Sequence, residues 1–157
     1  MYDVLDIARY VINYSIKEKK QSISNLKLQK LLYFIQGMFL INSDGKEPCF
    51  PEKIEAWDFG PVIPEAYREF KHNGASDIPY VERYLDSSKK GFVYKEYGYD
   101  NIVEDDKEMI DYVVDLLNDF SASDLVKITH KQTPWIEAYI PGTNMEITNK
   151  SIYDYFK

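Results

Sequence analysis

Residues 24–41 read SNLKLQKLLYFIQGMFLI. Leu28, Leu31, Leu32, Ile35, Met38 and Phe39 recur at helical spacing and form an apolar stripe too broad for a helix with one face in solvent. Ser24 offers an N-cap, and Asn42-Ser43-Asp44-Gly45 is a turn signal that ends the run. The stretch is predicted to be the central helix of the fold, packed on several sides, with Lys27, Lys30 and Gln36 as its polar remainder. The chain is therefore expected to be mainly α.

On the N-terminal side, Val4, Leu5, Ile7, Ala8, Val11, Ile12 and Ile16 follow the same periodicity behind Asp3 as N-cap, so residues 4–16 predict a first amphipathic helix. Lys17, Lys19 and Lys20 near its end complement the helix dipole. On the C-terminal side, Ile54-Glu55-Ala56-Trp57 reads as extended, Gly60-Pro61 as a turn, and Pro64 as the first turn of a short helix stopped by Asn73-Gly74. Residues 77–100 are rich in strand formers around Ser87-Ser88-Lys89-Lys90-Gly91 and predict a small β-hairpin. A helix over 104–119 follows, with Met109, Val113, Leu116, Leu117 and Phe120 on its apolar face. Ser123 and Thr133 are expected to cap two short helices, and a last amphipathic piece spans about 149–156. The expectation is one domain over 1–157, a compact helical fold with a small antiparallel hairpin or sheet.

The 157 residues are 45% hydrophobic and 29% charged, enough for a core without disulfide or metal staples. The formal net charge of −7 has one origin, because residues 100–119 hold eight carboxylates and one base, leaving 18 of each elsewhere. Nucleic-acid binding draws on Lys and Arg, so this balance argues against it as a partner. No run approaches the roughly 20 apolar residues that span a bilayer, and Met1-Tyr2-Asp3-Val4 is not the start of a signal peptide. A cytoplasmic protein without membrane partners is expected. The single Cys49 allows no internal disulfide, and with only His72 and His130 beside it a Cys/His zinc site is excluded.

Catalytic motifs are missing: there is no phosphate-binding glycine loop, nucleophile elbow or His-Glu-x-x-His pair. His130 with Asp124 and Ser121 or Ser123 is a minor hydrolase alternative, since the same spacings arise from helix capping. Glu104, Asp105, Asp106 and Glu108 lack EF-hand spacing. A DNA-binding role would have to use Lys17, Lys19, Lys20, Lys27 and Lys30. No enzyme activity, cofactor or metal is expected. The 14 Tyr, 8 Phe and 2 Trp leave two readings open, a ring-rich core with tyrosines at its rim or a protein-binding surface.

Three strings in order, Leu28-Gln29-Lys30-Leu31-Leu32-Tyr33-Phe34, Ile54-Glu55-Ala56-Trp57-Asp58-Phe59-Gly60-Pro61-Val62-Ile63-Pro64, and Thr129-His130 with Pro134-Trp135, resemble the Panacea domain, the SocA-like, phage-associated GepA family. The resemblance spans nearly the whole chain. It implies a non-enzymatic antitoxin whose partner is a cognate protein toxin, neutralised by direct binding or, alternatively, delivered to a protease by the antitoxin acting as adaptor. Some members carry an additional N-terminal DNA-binding domain; this chain opens on the first family helix, so operator binding is not expected of it.

The family strings read as scaffold, with Leu28, Leu31, Leu32, Trp57 and Trp135 in the core and Gly60-Pro61 reversing the chain between them. Toxin contacts are expected elsewhere, at Tyr94, Tyr97 and Tyr99 of the hairpin and at Asp111 and Asp115 of the acidic helix. Carboxylates suit a basic toxin and raise the association rate. A solvated face with no partner is the competing reading of the same stripe.

Overall fold

The computed structural model describes residues 1–86, 93–98 and 101–157. The tip of the expected hairpin at 87–92, and Tyr99, lie outside the described residues. In chain order the elements are α1 (Val4–Lys17), α2 (Asn25–Asn42), β1 (Ile54–Trp57), β2 (Gly60–Val62), α3 (Pro64–Phe70) running into a 3-10 turn (Lys71–Asn73), β3 (Arg83–Asp86), β4 (Val93–Glu96), α4 (Glu104–Leu117), α5 (Ala122–Thr129), α6 (Thr133–Ala138), β5 (Glu146–Ile147) and α7 (Asn149–Phe156). The expected mainly α fold with a minor antiparallel component is what is observed.

α2 is the axis of the molecule. Thirteen of its 18 residues are buried, and α1, α3, α4, α5, α7 and β2 all pack on it. The expected polar remainder is a correction: Lys27, Lys30 and Gln36 are buried as thoroughly as the leucines. Each is tied to backbone. Lys27 donates to the carbonyl of Asn118 at the end of α4, Lys30 to that of Pro61, and Gln36 to that of Phe50 while accepting from the amides of Cys49 and Phe50. Polar groups on the central helix thus satisfy backbone groups at the end of α4, along the outer side of β2 and in the loop before β1. At Gly37 a Cβ would lie 2.9 Å from the Phe156 ring, so the missing side chain lets α7 close on α2.

Two sheets accompany the helices. β1 lies between β2 and β5, antiparallel to both, with Trp57 opposite Gly60 and Ile54 opposite Ile147. β3 and β4 form the expected hairpin, with Arg83 opposite Glu96 and Asp86 opposite Val93. Pairing of β1 with β5 was not anticipated, because two residues carry no strand signal of their own.

Caps moved at two helices. Ser121, not Ser123, caps α5 in a capping box with Asp124, and Gln132 precedes α6, which begins at Thr133 itself. On α4 the buried face is Ile110, Val113, Val114 and Leu117, while Leu116 and Phe120, expected inside, are exposed. The helix is rotated relative to the expectation because α1 claims the side that carries Asp111 and Asp115.

Candidate functional site

The three sequence strings meet around the turn between β1 and β2. Asp58 and Phe59 form its tip, and Gly60 takes φ +104°, a left-handed conformation that disfavours any side chain. Space is equally restrictive, since a Cβ there would lie 2.8 Å from both Lys30 Cε and Thr129 Oγ1. The glycine is wedged between α2 and α5. Thr129 is itself held by the carbonyls of Leu125 (2.9 Å) and Val126 (3.1 Å).

Side chains from α2, α5 and α6 clasp the turn through its carbonyls. Lys30 Nζ donates to Pro61 O at 3.0 Å, and Trp135 Nε1 donates to Trp57 O at 2.8 Å. His130 Nε2 lies 2.9 Å from Asp58 O, so that nitrogen carries the proton. The Asp58 carboxylate accepts from the Tyr139 hydroxyl. Trp135 is sandwiched, with ring centroids 4.1 Å from His130 and 4.4 Å from Tyr139. Behind the turn, Gln29 accepts from the Ile63 amide at 3.0 Å and Tyr33 donates to Gln132 at 2.7 Å.

Leu28, Leu31, Gln29, Lys30, Tyr33, Gly60, Pro61, Thr129 and Pro134 are all buried. Trp57 and Trp135 depart from expectation in being half-buried. Their indole N–H groups need acceptors, which Glu55 and the Trp57 carbonyl provide near the surface. Trp57 stands edge-on to Tyr67 and, with Phe59, Tyr67 and Tyr139, lines a mostly apolar cavity of about 440 Å³ that Asn25 and Gln29 also line.

Electrostatically, Lys30 is the unusual group. It is 0% exposed, and burial alone pushes its amine down to about 7. Among the described residues its hydrogen bond to Pro61 is not supplemented by any carboxylate. The minor catalytic constellation does not assemble: Asp124 and Ser121 are bonded to each other at 3.0 Å in both directions of the capping box, and His130 faces the β1–β2 turn. Among the described residues no group of three or more His, Cys, Asp or Glu is placed to hold a metal ion. Lys27 and Lys30 are buried and Lys19 pairs with Asp115, so these three do not join Lys17 and Lys20 in one open basic surface.

The acidic helix has an unexpected inner role. Tyr2 donates to Asp106 at 2.5 Å, Tyr10 to Asp111 at 2.7 Å and Tyr14 to Asp115 at 2.9 Å, so two rungs join α1 to α4 and a third ties the segment just before α1 to the same helix. Asp115 also pairs with Lys19 at 3.2 Å. Burial, then the bond to a carboxylate, pushes all three tyrosine hydroxyls up. Burial also raises Asp111. The signal was present in sequence, since Tyr10 and Tyr14 share the four-residue spacing of Asp111 and Asp115. On the hairpin, Tyr94 is 74% exposed whereas Tyr97 is half-buried.

A helical scaffold organised around one clasped turn, with its motif residues engaged internally, defines the protein class. The profile of the family described as antitoxin SocA-like, Panacea domain matches residues 28–136, and the chain belongs to that family. The matched span contains all three strings. A similar protein is Antitoxin SocA of Caulobacter vibrioides, 40% identical over an alignment of 146 residues that covers 86% of this chain and 72% of the relative. No solved structure matches the chain significantly. Among the described residues no helix is long and apolar enough to cross a membrane.

Proposed function

We propose that this protein is a cytoplasmic, phage- or prophage-associated antitoxin that neutralises a cognate protein toxin by binding it directly. The observation that carries the reading is the 40% identity to Antitoxin SocA over most of both chains. The geometry supports a binding role in a specific way. Lys30, His130 and Trp135, the polar and aromatic residues that would attract attention as a reaction centre, are engaged in holding the β1–β2 turn, and Thr129 packs against its Gly60. Such a scaffold leaves recognition to the surface, where, among the described residues, Tyr94 is the sequence-nominated residue most open to a partner.

The test is co-expression with the product of the gene adjacent to its own. Growth arrested by that product is restored by this chain, and the two purify as a stable complex. Continued arrest at equal expression overturns the reading.

A further inference from the structure

The outer face of α4 sets exposed large apolar side chains among carboxylates. Tyr112 and Leu116, one turn apart, are 57% and 59% exposed, and Phe120 follows exposed just beyond the helix end. Around them the exposed positions of the segment are Glu104, Asp105, Glu108, Asp115 and Asp119, and the helix's one base, Lys107, is itself largely covered and pairs with the exposed Glu104. Large apolar side chains ringed by one sign of charge are what an interface needs and a solvated helix does not.

One of these charges is also locally unrewarded. Asp119 lies just past the C-terminal end of α4, where the helix dipole disfavours carboxylates, and no base occupies the last turn. Asp115, at the same end, is offset by Tyr14 and Lys19. Among the described residues Asp105, Glu108 and Asp119 have no ion-pair partner within 4.0 Å. A second copy of this chain is a poor occupant, because it would set this acidic ring against an identical one.

We propose that this face, centred on Tyr112 and Leu116, is where the toxin docks, through a toxin segment carrying apolar side chains flanked by Lys or Arg. This rests on the antitoxin reading above. The apolar pair supplies the dry centre of the contact and governs dissociation; the carboxylates steer the basic segment in and govern association. Asp111 is not part of the contact, being turned inward to Tyr10.

The experiment measures binding of the full chain to the purified product of the adjacent gene, by surface plasmon resonance at several salt concentrations. Tyr112→Ala/Leu116→Ala should raise Kd at least tenfold, mainly through faster dissociation. Glu108→Lys/Asp119→Lys should slow association at least tenfold at low salt, and Glu108→Gln/Asp119→Asn should do so to a smaller extent. All three variants alter exposed side chains and should melt within a few degrees of the wild type. If the wild type binds and neutralises but all three variants keep its Kd within twofold, the docking face is wrong while the antitoxin reading stands. If the wild type itself neither binds nor neutralises, the antitoxin reading fails first and this assignment with it.

Discussion

Lys30 brings an amine into the centre of the molecule, where the carbonyl of Pro61 receives it. Its position on α2 beside Gly60 makes it a strut, since the side chain spans from the central helix to the turn that the family strings surround. The arrangement has a pH signature. Folding lowers the amine to about 7, whereas in an unfolded chain a lysine titrates near 10.4. Between those values the unfolded chain binds a proton that the folded chain does not, so raising the pH favours the folded state. Below about 7 both states are protonated and the full cost of burying the charge is present. Lys30→Met removes this dependence. Relative to the variant, the wild type should gain up to about 1.4 kcal/mol per pH unit between pH 7 and 10, measured by chemical denaturation at a series of pH values. Parallel profiles for the two proteins would show that the amine does not titrate in this range. Periodicity marks Lys30 as part of the polar remainder of a central helix, and it does not by itself say which carbonyl receives the amine, because lysines are seldom fully buried.

At the scale of elements, α1 and α4 are joined by tyrosine hydroxyls and carboxylates rather than by apolar contact alone. The two helices run in the same direction, and a four-residue step on each advances about one turn, which keeps Tyr10–Asp111 and Tyr14–Asp115 in register. Tyr10→Phe leaves a half-buried carboxylate without this donor and should cost about 1–3 kcal/mol of stability. Combining it with Asp111→Asn should recover part of that loss, and a coupling near zero in the double-mutant cycle by urea denaturation would mean the rung is idle. The rungs also explain why helix periodicity misplaced Leu116 and Phe120. Apolar spacing alone would turn them inward, but with Asp111 and Asp115 bonded to α1 the helix is oriented so that both lie outside.

For the whole molecule, sequestration and delivery to a protease make opposite predictions about the toxin's lifetime. Direct neutralisation predicts that, in a pulse-chase with the adjacent gene's product, the toxin's half-life in the presence of this chain is unchanged or lengthened. A half-life shortened severalfold would establish adaptor behaviour instead. What residues 1–157 determined by themselves was local. The start of α1 at Asp3, the start of α2 at Ser24, the Gly60-Pro61 reversal and the mainly α class follow from caps, turn residues and periodicity carried by neighbouring positions. The order of the three family strings was equally legible. The tertiary structure decided what those strings do together, because Lys30, Gly60, Thr129 and Trp135 are brought into one clasp only when α2, α5 and α6 pack. It also decided which carboxylates of α4 face inward. Tyr10 and Asp111 lie 101 residues apart, and their bond depends on the rotation and register of two packed helices, quantities that no short window of sequence contains.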